Sequence, residues 1–262
     1  MANYFKLYRS FVRNSILIDL QYRSNFFLFS LTSLGWGLVY IFLYVFIFNN
    51  IDKVGDWTYE RSLVLAATFL IVNALNKVLF EQNLKRIVFL VYQGDLDLIL
   101  AKPLSSQFLV SLRQFSLKPF LRFILSWLIL GVVLYKAHIS INLINFLGFL
   151  FMLFISTIII YSLWFMSCCL VFWLGNIENI YQFFHPVLRT TALPFDILPG
   201  ILNELMFFVI PLVFIATIPA KTLLGLVSFP TILYGVFIAG FLLYLSHRFW
   251  SFCLRHYSSA SS

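Results

Sequence analysis

Charge is scarce in this sequence. Charged residues are 11% of its 262 residues, against about 25% in soluble domains. That shortfall excludes a water-soluble surface. Acids are scarcer still, 10 against 18 Lys and Arg. There are three cysteines, Cys168 and Cys169 inside an apolar run and Cys253 near the C-terminus. They have no metal-ligand spacing and read as small buried hydrophobes. Several catalytic signatures are missing. There is no Gly-x-x-x-x-Gly-Lys-Ser/Thr loop to cradle a nucleotide, no His-Glu-x-x-His helix and no Gly-x-Ser-x-Gly elbow. The four histidines are scattered. The chain is expected to hold no cofactor or metal and to be no enzyme. A secretory signal is not evident either. The first 25 residues hold Lys6, Arg9, Arg13 and Arg23 but neither an apolar core nor a small-residue cleavage site.

What is present is apolar. Hydrophobic residues make up 61% of the chain and aromatics 19%, with 32 Phe. A lipid-facing protein need not hide that surface. The net charge of +8 would suggest nucleic acid in a soluble protein. Here the cations flank apolar runs, which points to orientation against anionic lipid and to no nucleic-acid partner.

Residues 1–25 read as an amphipathic helix lying in the membrane interface. Lys6, Arg9 and Arg13 share one face, and Tyr4, Phe5, Tyr8, Phe11 and Val12 cover much of the rest. A plain cytoplasmic extension of the first span is the other reading. Spans follow at about Phe26–Phe48, Ser62–Phe80, Pro119–Tyr135, Asn145–Leu174 and Leu226–Leu245. A fifth span falls either at Ile201–Ile218 or at Ile177–Phe195. In the second case residues 199–218 become a re-entrant pair broken by Pro199 and Pro211, which needs protein or water around its backbone. Between the second and third spans lies a long polar stretch, 81–118.

Six spans put both termini on the side of that stretch. Lys6, Arg9, Arg13, Arg23, Lys85, Arg86, Lys102, Arg113, Lys118, Arg122, Arg248 and Arg255 share that side. Lys53, Arg61, Lys136 and Lys221 lie opposite. The excess marks the first side as cytoplasmic. Lys77 and Arg189 fall within candidate spans. Asp95 and Asp97, at i and i+2, face different sides of a helix and make a poor catalytic pair. Glu81 with Lys77 and Lys85 reads as a solvated helix end. The firm spans hold no acid, which argues against a proton-driven carrier. An ATP-independent secondary carrier or a membrane scaffold stays as the alternative.

One segment of the polar stretch stands out: Gly94-Asp95-Leu96-Asp97-Leu98-Ile99-Leu100-Ala101-Lys102-Pro103-Leu104. Gly94 can stop a helix and Asp95 can cap the next. Leu96, Ile99 and Leu100 make an apolar stripe. It suits docking on a cytoplasmic partner or packing back on the membrane surface, and spacing does not choose between them.

This segment resembles the Gly-x-Leu-Asp-x-Leu-Leu-x-x-Pro-Leu signature of a bacterial branch of the type-2 ABC exporter permeases. The resemblance extends to the N-terminal amphipathic helix, the six-span order and Pro194-Phe195-Asp196-Ile197-Leu198-Pro199-Gly200. It also takes in Phe208-Val209-Ile210-Pro211 and Ile218-Pro219-Ala220. Lys102 departs from the common family pattern. The resemblance implies one permease domain over 1–262: an all-α polytopic membrane protein with six transmembrane helices, an N-terminal interfacial helix and a re-entrant pair before the last span. It implies a second permease, identical or sister, and a separate ABC ATPase subunit carrying ATP and Mg. Gly94, Asp95, Leu96, Asp97, Ile99, Leu100, Lys102 and Pro103 would form the coupling helix, with the stripe buried against that ATPase. It further implies an exporter in the bacterial cytoplasmic membrane.

Overall fold

The computed structural model describes residues 4–21, 23–49, 53–174, 184–195, 198 and 200–257. Its regular structure there is helical except for one two-stranded hairpin, Lys53–Val54 with Trp57–Thr58. Two helices open the chain, α1 (Tyr4–Gln21) and α2 (Arg23–Phe48). After the hairpin comes α3 (Tyr59–Asn76), whose N-terminus is capped by Thr58 Oγ1, accepting from Arg61 N–H at 3.5 Å. It runs through a π-helical turn, Lys77–Glu81, into α4 (Gln82–Tyr92). This rod of 34 residues is about 51 Å long at 1.5 Å per residue, well beyond the ~30 Å hydrocarbon layer.

The second span was expected to end at Phe80, with polar chain following. The helix instead continues to Tyr92. Hydropathy marks where a chain leaves lipid, not where its helix stops. Residues 82–92 contain neither Pro nor Gly, and Gln82, Leu84, Lys85 and Arg86 are good helix formers. The π turn is tied to the polar stretch. Ser116 N–H donates to Val78 O at 3.0 Å. Asn83 donates to Gln114 O (2.7 Å) and accepts from Gln114 N–H (2.8 Å).

Two short helices follow, α5 (Leu96–Leu100) and α6 (Ser106–Leu112), then α7 (Phe120–Lys136), α8 (Leu143–Cys169) and α9 (Val171–Leu174). Asn142 caps α8, accepting from Ile144 N–H at 3.3 Å. Helix α10 is Phe184–Thr190. The option of a fifth span at Ile177–Phe195 falls partly on 177–183, outside the described residues. The Ile201–Ile218 option is not one helix. The chain forms α11 (Ile201–Glu204) with a π turn to Val209, breaks at Ile210–Pro211, then makes a 3-10 turn (Leu212–Phe214) and α12 (Thr217–Leu223). Pro211 has no N–H to continue the ladder. Last is α13 (Phe229–His256).

Among the described residues, three helical stretches are long and apolar enough to cross a membrane: Tyr59–Tyr92, Leu143–Leu174 and Phe229–His256. Helix α8 packs on α12 and α13, α3 on α2 and α7, and α4 on α8. Helix α13 buries Gly235, Ile238, Ala239 and Leu242, spaced three and four apart, and exposes Leu233, Phe237, Phe241 and Tyr244. Both faces are apolar, so the outer one suits lipid rather than water. Cys168, Cys169 and Cys253 are unpaired and buried, as expected.

Helix α1 is tied to the end of the polar stretch. Asp19 accepts from Leu117 N–H (2.8 Å) and pairs with Lys118 (3.8 Å), while Ser15 Oγ accepts from Phe115 N–H (3.1 Å).

Candidate functional site

Residues 94–103 form an elbow at the end of the long rod. Gly94 has φ +78°, a left-handed conformation in which a Cβ is unfavourable. It stops α4 and turns the chain back. Asp95 occupies the N-cap position of α5, but its side chain makes no capping bond. The first turn closes instead through Asp97 N–H to Gly94 O, 3.3 Å. Leu96 and Ile99 are 0% and 3% exposed and belong to the chain's own core. The expected outward stripe is therefore corrected. Two of its three residues are already occupied by intrachain packing, because α5 lies on α6. The outward face carries Asp95, Leu98 (69% exposed), Leu100 (38%), Lys102 and Pro103. Gly94 and Asp97 are half-buried.

Helix α6, beneath the elbow, is strapped to the spanning helices by hydrogen bonds. Ser111 Oγ lies 2.8 Å from Tyr161 OH. Gln107 Oε1 lies 2.8 Å from His247 Nδ1, and Trp250 Nε1–H donates to Ser106 Oγ at 3.0 Å. These bonds link the helix that α5 packs on to α8 and α13.

A second feature lies further along the same rod. A cavity of ≈ 280 Å³ opens between four elements. Asn73, Lys77 and Glu81 line it from the rod, and Lys118, Pro119 and Arg122 from the start of α7. Thr32 and Tyr40 of α2 and His185 and Arg189 of α10 complete its described lining. Glu81 is shared by Lys85 (2.7 Å) and Lys77 (3.8 Å), with His185 Nε2 at 4.0 Å. Arg122 is 6% exposed, and its Nη2 donates to Asn73 Oδ1.

Sequence reasoning treated these residues as span edges and Glu81 as a solvated helix end. The structure corrects the latter: the Glu81 side chain is 16% exposed and walls a cavity. A signal was available, since Asn73, Lys77 and Glu81 recur every four residues and so share one face. Nothing in the linear order brings Arg122 and Arg189 to that face.

The arrangement offers charged and hydrogen-bonding groups suited to binding. A family model for the ABC-2 family transporter protein matches residues 34–261, which is most of the chain and takes in the elbow and all of the cavity's described lining except Thr32. No curated protein matches the sequence significantly. Apolar helices of membrane-crossing length, a charged internal cavity and this match together place the chain: it belongs to the ABC-2 family of transporter proteins, as a membrane permease of an ABC transporter.

Proposed function

We propose that this permease is driven through the 94–103 elbow by a separate ATPase subunit, which carries ATP and Mg, and that it exports its substrate across a bacterial cytoplasmic membrane. It works beside a second permease, identical or sister. The proposal rests on the unbroken rod Tyr59–Tyr92. One part of it walls the cavity at Asn73, Lys77 and Glu81, and its end carries the elbow. From Glu81 to Gly94 is about 20 Å of helix. A push on the elbow moves the rod, and with it the Lys77–Glu81 wall. The π turn at that wall is a recurrent feature of functional sites in helices.

The membrane arrangement in this proposal has six crossings: α2, α3, α7, α8, the 177–195 stretch and α13. Residues 201–223 form a re-entrant pair bent at Pro211. Nine residues, Ile201 to Val209, are about 14 Å of helix, less than half the hydrocarbon layer. Both termini and the elbow are cytoplasmic by the Lys and Arg distribution, and α1 lies in the interface.

The test is co-purification of the tagged full chain from native membranes, with ATPase activity measured on the eluate. An ATPase subunit should accompany the wild type and be lost from Leu98→Asp/Leu100→Asp. These substitutions spare buried Leu96 and Ile99, so loss of the partner is not loss of the fold. A folded chain with no accompanying ATPase would move the reading to an ATP-independent carrier.

A further inference from the structure

Arg122 is a buried cation with no contact ion pair among the described residues, although the charge of Glu81 across the cavity acts on it. Among the described residues, the ion pairs near it are taken by others. Glu81 goes to Lys77, Lys85 and His185, and Asp19 to Lys118. Among the described residues, the one hydrogen bond of its side chain goes to the neutral amide of Asn73, and its Nε–H has no acceptor. Of the described buried side-chain polar atoms left without a partner, it is the one on a charged group. A buried guanidinium is costly unless paired, and its planar fork matches an oxyanion bidentately. Lys77, Lys118 and Arg189 line the same cavity, with Glu81 as its carboxylate among the described residues. The space is far larger than the ~15 Å³ that lodges one water. Gly37 of α2 is buried beside the arginine stem: a Cβ there would stand 3.8 Å from Arg122 Cδ, an ordinary contact distance.

We propose that this cavity binds the oxyanion of the transported molecule, a phosphate or carboxylate gripped by Arg122 with Lys77 and Lys118 around it. That the oxyanion belongs to a transported molecule rests on the permease reading; that the cavity binds an oxyanion does not. Oxyanion binding offsets the buried charge of Arg122 and sits on the rod that the elbow moves. A closing push would therefore change the surroundings of the bound group.

The test uses the purified full chain in neutral detergent, with melting temperature followed as probes are titrated. The probes are inorganic phosphate, dioctanoyl phosphatidylglycerol and, as the zwitterionic control, dioctanoyl phosphatidylcholine. The wild type should be stabilised by an anionic probe. Arg122→Met should weaken the apparent affinity by about tenfold or more, since a charge-assisted hydrogen bond is being removed. Lys102→Gln, on the elbow surface, should respond as wild type. A response to phosphate alone identifies a free oxyanion. A response confined to phosphatidylglycerol identifies a lipid headgroup. No response to either anion, or an equal response in Arg122→Met, overturns the proposal. If Arg122→Met does not fold, Arg122→Lys carries the comparison. It keeps the charge and loses the fork, so an unchanged affinity overturns the proposal too. Retention of an ATPase by the same preparations is scored separately. An ATPase without anion binding removes this proposal and leaves the permease reading; anion binding without an ATPase does the reverse.

Discussion

Leu96 and Leu98 are two residues apart on a five-residue helix, yet truncating them should affect different properties. Leu96 is 0% exposed and Leu98 69% exposed. Leu96→Ala removes a fully buried side chain and leaves a cavity in the core where α5 packs on α6, at a cost of about 2–5 kcal/mol in stability. Leu98→Ala removes little intrachain contact and should fall within ~0.5 kcal/mol of wild type. The order reverses for the ATPase contact. Full burial of a leucine is worth about 1.5–3 kcal/mol. Roughly two-thirds of that is still available at Leu98, so its loss should weaken ATPase binding by about 1–2 kcal/mol, or ~5–30-fold in Kd. The assay pairs a melting curve in detergent with a titration of the co-purified ATPase against each variant. Leu98→Ala should bind weakly and melt normally. Leu96→Ala should melt early and, below its transition, bind normally. If Leu98→Ala binds as wild type while folded Leu96→Ala does not, the outward face has been assigned to the wrong side of the elbow.

Further outcomes follow from the same geometry. Gly94→Ala places a Cβ at φ +78° and should cost ~1–2 kcal/mol, lowering both the melting temperature and ATPase stimulation because it bends the rod's end. Gly235→Ala sets a Cβ 3.0 Å from the buried Phe214 ring and 3.3 Å from Met152 Cε. Overpacking there should cost ~1–3 kcal/mol, read as a lower melting temperature with the ATPase contact intact. Cys168, Cys169 and Cys253 are each 0% exposed. All three should resist maleimide in native membranes and react fully in SDS; rapid labelling of any one in the native state would contradict this packing.

Much of the fold is legible in residue order because the bilayer is a demanding solvent. An apolar run of about 20 residues has one stable form there, a helix, and α2, α3, α7, α8 and α13 each overlap most of an expected apolar run. The helix limits were less legible. Helix α3 was expected to end where polarity begins, but helical hydrogen bonding continues through Lys85 and Arg86 as readily as through leucine. The broken segment around Pro211 was half legible, since proline marks the break but not which side of the membrane the chain returns to.

The elbow divides in the same way. Gly94 and Pro103 bracket a short apolar turn in the sequence alone, because glycine tolerates a left-handed turn and proline ends a ladder. Which leucines face outward depends on the packing of α5 on α6, in which Leu96 and Ile99 are buried and Leu98 and Leu100 stay exposed. The cavity is tertiary. Asn73, Lys77 and Glu81 share a face by local periodicity, but Arg122, His185 and Arg189 join them from 41 positions away at the nearest (Glu81 to Arg122) and 116 at the farthest (Asn73 to Arg189). Composition committed this chain to lipid, since so few charges cannot clothe a surface in water. Where its remaining charges meet was set by helix packing, because the energy of an ion or a hydrogen bond depends on distances that no spacing along the chain specifies.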